Sequence, residues 1–402
     1  MAQSKKLLII NAGSSSLKFA VFTTSVAANS DDDVVLQLRG QIAGIGQGHL
    51  RVELTPASGP APDWQLGQQV GDHATALHWL SERLGLLRQP ADWLAIGHRV
   101  VHGGTLFTAP VLLQAMDIEK LDSLIPLAPL HQPHNVGAIK ALRVLLPDVP
   151  QIACFDTAFH AGNPERVARF ALPESYWQQG IRRYGFHGLS YEAILARLRR
   201  EKIALPQRLI VAHLGNGASM AAIRDGVGLA TSMAFSTLDG LIMGTRPGNI
   251  DPGVLLHLLH QGMSLGDLER LLYHDSGLLG LSGLSADMKT VSGSDTPQAK
   301  LAIDMYCHRI AIELGRFAAE LQGLDMLIFT GGVGENASEI RARIAAEAGW
   351  LGVSLDQAAN ERATRSSHVE TISANGAPLS VLVVPTDEEG IVARHCRALL
   401  RT

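Results

Sequence analysis

Three glycine-bearing turns and two arginines carry the chemistry legible in this sequence. The turn Asn11-Ala12-Gly13-Ser14-Ser15-Ser16 offers backbone N–H groups and hydroxyls, with Lys18 just beyond, a set that suits a terminal phosphate. It lacks the spacing G-x-x-x-x-G-K-[ST], and a Gly/Ser turn by itself is more often only a turn. His213-Leu214-Gly215-Asn216-Gly217 repeats the design: two glycines permit close backbone approach to an anion, and Asn216 adds an amide donor. A third turn, Gly331-Gly332-Val333-Gly334-Glu335-Asn336, leaves room for a flat nucleotide group. The following Ala337-Ser338-Glu339 predicts a capping box between Asn336 and Glu339.

Arg99, in Gly97-His98-Arg99-Val100-Val101-His102-Gly103-Gly104, and Arg246, in Gly244-Thr245-Arg246-Pro247-Gly248-Asn249, both stand among glycines. A guanidinium grips carboxylate or phosphate oxygens in a planar fork that lysine cannot imitate. Taken singly, each reads as a surface ion-pair partner; beside two phosphate turns they become anchors for anions. His187, in Tyr184-Gly185-Phe186-His187-Gly188, reads as a donor to charge developing on a transferring phosphoryl group. The pairs His98/His102 and His131/His134 are set aside as metal ligands. There is no H-E-x-x-H, no cysteine lies near, and the proline beside His131 reads as a helix breaker.

Short apolar runs that end in polar or glycine-rich clusters must position these groups: Leu7–Ile10, Ile152–Phe155, Leu209–Ala212, Met326–Phe329 and Val381–Val384. Strands of an α/β sheet present ligands from their carboxyl ends, so this grammar gathers the chemistry along sheet edges. Leu17–Phe22 and Met220–Ile223 follow the first two turns, so each turn reads as the tip of a strand-turn-strand hairpin. The resemblance of the hairpins points to a duplicated lobe. Ile303, Cys307, Ile310, Leu314, Phe317 and Leu321 alternate at spacings of four and three, one apolar helix stripe for a sheet.

With 402 residues, 46% hydrophobic and 18% charged, the chain has ample material for buried sheets, and single cores rarely exceed about 300 residues, so two domains are expected. A net charge of -4, without dense Lys/Arg interleaved with aromatics, argues against nucleic acid as a partner. The first apolar run is too short for a signal peptide or membrane span. Cys154, Cys307 and Cys396 are scattered without a C-x-x-C pair and read as packing residues in a reducing, cytoplasmic compartment.

These motifs together resemble the acetate kinases and the related propionate kinases. The likeness runs nearly end to end: Asn11–Phe19, Gly97–Gly104, Ala128–Asn135, Phe155–His160, Tyr184–Ser190, His213–Gly217, Met243–Arg246, Phe329–Asn336 and Pro385–Glu389. The resemblance implies an α/β fold of two duplicated, ribonuclease H-like lobes, shared with sugar kinases, the 70-kDa heat-shock ATPase and actin, with ATP in the cleft between lobes. One lobe would comprise residues 1–155 completed by 387–402, the other 156–386.

The resemblance further implies reversible phosphorylation of acetate by ATP, and residue roles with it. Asn11 and Glu388 would organise Mg²⁺ or Mn²⁺. Lys18 and His213, Leu214, Gly215, Asn216 and Gly217 would contact phosphates. Asp287-Met288-Lys289 and Gly332, Val333, Gly334, Glu335 and Asn336 would receive the nucleotide. Arg99 would hold the substrate carboxylate, with Val101, Leu130 and Phe186 around the acyl methyl. Asp156 would lie in the catalytic centre, with His187 and Arg246 stabilising the transition state. A homodimer in the cytoplasm is expected, with propionate or another short-chain acid as alternative substrate. A nonenzymatic ATP-binding regulator of the same fold is the alternative from another class. Three departures stand out: Thr237 where the family usually has proline, Pro247-Gly248-Asn249 for Ser-Gly-Asp, and Asp387 in place of the asparagine of Thr-Asn-Glu-Glu.

Overall fold

The computed structural model describes residues 4–25, 33–47, 49–65, 70–364 and 366–401. The chain divides into two compact units, Met1–Ala161 with Asp387–Thr402, and Gly162–Thr386. Asp156, expected at the head of the second lobe, therefore belongs to the first unit.

The first unit is built on seven strands: β1 (Ser4–Ala12), β2 (Ser16–Ser25), β3 (Val34–Ala43), β4 (Arg51–Pro56), β5 (Trp93–Val100), β6 (Val111–Leu112) and β7 (Gln151–Phe155). Their order in the sheet is β4-β3-β2-β1-β5-β7-β6. The β1 to β4 strands form an antiparallel meander, β5 and β7 run parallel to β1, and the short β6 closes the edge antiparallel. Leu7, Leu8, Ile9 and Ile10 are all buried because both faces of the sheet are covered. Leu8 and Ile10 join a core with Leu77 and Leu80 of helix His73–Arg83 and Leu142 of helix Gln132–Leu145. On the other face, helix Glu388–Leu399 lies so close to β5 that a Cβ at Gly97 would meet Cys396 Sγ and Val392 Cγ1, each at 2.7 Å. The proline read as a helix breaker is instead in the first turn of helix Gln132–Leu145, where a missing N–H leaves no bond unmade.

The second unit repeats the plan with β8 (Arg208–Leu214), β9 (Ala218–Arg224), β10 (Val227–Thr231), β11 (Met326–Thr330), β12 (Glu370–Thr371) and β13 (Ser380–Val383), ordered β10-β9-β8-β11-β13-β12. Again three antiparallel strands lead into two parallel neighbours and an antiparallel edge, so strand for strand the unit matches β3-β2-β1-β5-β7-β6. Helix Pro297–Leu321 lies along β9, with all six stripe residues buried. Thr296 accepts the N–H of Ala299 at 3.3 Å and Pro297 occupies the first helical position, which together start the helix sharply.

Candidate active site

In each unit the polar groups collect at the carboxyl ends of parallel strands. In the first, Asn11 closes β1, Arg99 closes β5 and Asp156 follows β7, its N–H donating to Val100 O at 3.0 Å. Arg99 donates through Nε and Nη2 to the two oxygens of Asp156, at 3.2 and 2.5 Å, and through Nη1 to Asn11 Oδ1 at 3.1 Å. Burial opposes the guanidinium charge, but Asp156, Glu388 and Glu389 outweigh it and raise its pKa. The fork expected to hold a substrate carboxylate is thus occupied by Asp156.

Glu388 begins the last helix, behind the Asp387 cap that accepts the Gly390 N–H at 3.2 Å and pairs with Arg39. Burial pushes its carboxyl up toward about 7; Asp156 and Glu389 add to the shift, and Arg99 and Lys18 oppose it. Lys18 is exposed, directly across from Asn11 on β2. Val101 is buried, whereas Leu130 is 38% exposed.

In the second unit the three-residue tip Gly215-Asn216-Gly217 closes the β8–β9 hairpin, Gly215 N–H donating to Gly217 O at 3.1 Å. Arg246 lies against this tip: a Cβ at Gly217 would stand 2.6 Å from its Nη2 and 3.5 Å from His187 Nε2. Its Nη1 donates to Thr237 O at 2.8 Å, and among the described residues it has no carboxylate partner. Burial pushes its pKa down to about 10, against a small contribution from Tyr273. His187 precedes helix Gly188–Arg200 with φ of 57°, a left-handed conformation uncommon outside glycine. Its ring stacks on that of His213, centroids 4.4 Å apart. Phe186, beside it, is fully buried.

A cavity of about 700 Å³ brings three separated segments together. Gly215 and Asn216 contribute from the hairpin, Asp287, Met288 and Lys289 from the start of a short helix, and Gly332, Val333 and Asn336 from the turn after β11. Asp287 caps that helix through Thr290, whose hydrogen bonds hold its carboxyl below the usual range. The other nucleotide candidates are placed elsewhere. Gly334 does not line the cavity, and Glu335 turns back to accept the N–H groups of Gly331 and Thr386 at 2.9 and 3.1 Å; His213, Leu214 and Gly217, expected at the phosphates, also lie outside its lining. The expected capping box does not form. Residues Gly331–Asn336 themselves curl into helix, Asn336 donates to Gly332 O at 2.8 Å, and Glu339 pairs with Arg343.

Sequence reading missed the supports of this site. Asn135 joins the ends of β1 and β5, donating to Ala12 O at 2.8 Å and accepting from Val101 N at 2.9 Å. Arg341, fully buried, donates to Gly334 O at 2.9 Å and to Asn360 Oδ1 at 2.7 Å, fixing the third glycine turn from behind. Among the described residues no cluster of three or more His, Cys, Asp or Glu is placed to hold a metal ion alone. The donors proposed for one are an amide oxygen and a carboxylate among further carboxylates, the hard oxygen set that suits Mg²⁺ when phosphates complete the shell.

Duplicated sheets with glycine turns at their hairpin tips and an arginine beside each define a two-lobe α/β phosphotransferase. The profile of the acetokinase family matches residues 6–394. An acetate kinase of Rhodopseudomonas palustris is 47% identical over 398 residues, covering 98% of each chain, and one of Methylocella silvestris is 44% identical over 403 residues, covering 99% of this chain and 98% of the relative. The crystal structure of Porphyromonas gingivalis acetate kinase, 35% identical, superposes with a TM-score of 0.86 over 98% of this chain and 100% of that one. A propionate kinase from Francisella tularensis, 33% identical, gives 0.87 over 97% and 98%. This chain belongs to the acetokinase family.

Proposed function

We propose that this protein transfers the γ-phosphoryl group of ATP to acetate, forming acetyl phosphate and ADP, reversibly. The observation that carries the reading is Arg246, a half-buried cation without a carboxylate partner among the described residues, set against the Gly217 turn and His187. Such a cation is stabilised when an anion arrives, and most when charge builds on a transferring phosphoryl group. The neighbouring cavity takes adenosine, and the Gly215–Gly217 turn the phosphates.

Acetate is ionised at neutral pH, so no strong base is required. One carboxylate oxygen forms a bond to the γ-phosphorus as the bond to the bridging oxygen breaks in line, and ADP leaves with the electron pair. Arg99 has five N–H groups, three of them spent on Asp156 and Asn11, and the remaining two orient the acid. Val101, Leu130 and Phe186 are the apolar residues proposed around its methyl. Asn11 and Glu388 would hold a divalent cation, which supplies charge neutralisation on the phosphates. Lys18 would add a point charge there.

Purified protein incubated with ATP, Mg²⁺ and acetate is expected to yield acetyl phosphate, trapped as the hydroxamate. ATP binding without product would leave only a regulator of the same fold. Propionate is a second reading, because the similar solved structures include a propionate kinase and Thr237 replaces the usual proline. Thr237 anchors Arg246 through its backbone carbonyl, which a proline would also provide, so the change leaves that contact in place. One methylene is worth about 1–3 kcal/mol, which the ratio of kcat/KM for acetate and propionate will read directly.

A homodimer is also part of the proposal. Helix Pro252–His260 has no buried residue, exposes Val254, Leu256 and Leu259, and bears no Asp, Glu, Lys or Arg. A second copy can cover it without charge repulsion, and Leu256→Asp is expected to give a monomer by light scattering. A cytoplasmic location is proposed as well; no helix among the described residues is long and apolar enough to cross a membrane.

A further inference from the structure

We infer that Tyr191 and Ser219 form a hydroxyl relay that fixes the tautomer of His187, leaving the proton on Nε2, the nitrogen beside the Gly217 turn. This rests on the reading of His187 as a donor to the transferring group. Ser219, on β9, has its Oγ 2.8 Å from His187 Nδ1, and the same oxygen is hydrogen-bonded to the buried Tyr191 hydroxyl. Tyr191 lies one helical turn beyond His187, its N–H donating to His187 O at 3.2 Å, so local helix geometry brings phenol and imidazole to a shared serine.

The direction of the relay follows from acidity. A phenol, with a pKa near 10, is a far better donor than an aliphatic alcohol. Tyr191 therefore donates to Ser219 Oγ, and the serine hydroxyl is left to donate to His187 Nδ1. A neutral imidazole whose Nδ1 accepts must carry its proton on Nε2. That nitrogen and Arg246 Nη2 converge on the Gly217 tip, at 3.5 and 2.6 Å from a Cβ built there, so two donors face the same small volume. The opposite tautomer would present a lone pair to a phosphate oxygen. His213, stacked on His187, is held similarly: its Nδ1 is 2.8 Å from Ser190 Oγ, which is 2.9 Å from Thr386 Oγ1. Two alcohols set no preferred direction, so the inference is confined to His187. Tyr191 and Ser219 are positioning residues; they act through the ring.

The test reads the ring directly. In full-length protein with ¹⁵N-labelled histidine, with the His187 signals identified by their loss in His187→Asn, Nδ1 is expected in the unprotonated range and Nε2 in the protonated range at pH 8, without ligand. The reverse pattern, or an even mixture, overturns the inference, and neither result depends on catalysis. Tyr191→Phe keeps the packing and removes the donor. It should shift the ring toward a mixture and lower kcat about tenfold, with KM for ATP and acetate within about twofold. Ser219→Ala should do the same and Ser219→Thr should restore most of the rate. A wild-type protein that makes no acetyl phosphate yet shows the Nε2–H ring would sink the functional reading and leave this one standing.

Discussion

The two units use one strand plan for opposite electrostatic ends. Both sheets put an antiparallel hairpin beside two parallel strands and carry an arginine near the hairpin tip. In the first unit Arg99 is clamped by Asp156 and surrounded by carboxylates that raise its pKa; in the second, Arg246 donates to the Thr237 carbonyl, has no carboxylate partner among the described residues, and burial lowers its pKa to about 10. The tips differ too. Gly13 and Ser16 bridge a four-residue turn whose Gly13 O accepts from His73 Nε2 at 2.7 Å, whereas the tighter Gly215–Gly217 tip leaves space that the Arg246 fork fills. Duplication supplies the frame, and the partner given to each arginine decides whether it organises the protein or waits for a ligand.

The sharpest break of this contrast is Arg246→Ala. It should cost about 10³-fold in kcat with little change in thermal stability, and lysine should recover little because it lacks the fork. Acyl phosphate assay with a melting curve checks both. Asp156→Ala should do the reverse in kind: it strands a half-buried guanidinium and should destabilise the first unit by about 1–3 kcal/mol in urea titration, in addition to any loss of rate.

A similar energy should appear against pH. His98, buried and donating through Nε2 to Gln151 Oε1 at 2.8 Å, has its pKa lowered to about 4 by burial. Above pH 6.5 both folded and unfolded chains leave it neutral. Below, the unfolded chain takes up a proton that the folded one refuses, so about 3 kcal/mol of stability drains away between pH 6.5 and 4. His98→Gln should make that part of the stability profile shallower, His102, whose pKa burial also lowers to about 4, keeping its own share.

The smallest expected effect is Gly217→Ala, whose added methyl pushes Arg246 Nη2 aside. A tenfold fall in kcat, about 1.4 kcal/mol, is expected, against little change for Gly13→Ala, where the nearest atom is Ser16 Oγ at 3.2 Å.

What was legible in the sequence was local. Apolar runs such as Leu7–Ile10 and Met326–Phe329 announce buried strands because both sheet faces are covered, and the hairpins announce themselves through glycine. The stripe from Ile303 to Leu321 holds because a three-and-four spacing has one meaning on a long helix. Illegible were pairings across long stretches of chain, such as Asp156 in the Arg99 fork, Asn360 behind Arg341 and Thr386 on Ser190. No spacing rule reports them, since the fold alone brings them together. The two-residue edge strands β6 and β12 carry too little pattern to be seen. The capping box failed because glycines after β11 let the chain begin helix earlier than the sequence signal implied.

Helix Glu388–Leu399 reaches back to cover β1 and β5, although it is made long after them and after the whole of the second unit. The unit spanning Gly162–Thr386 is contiguous and complete before that helix emerges, while the first unit must keep one sheet face bare until residues 388–399 have been made. Nascent chains halted before residue 387 should therefore expose Ile9 and Gly97 to chaperones, and the order of folding should run against the order of translation.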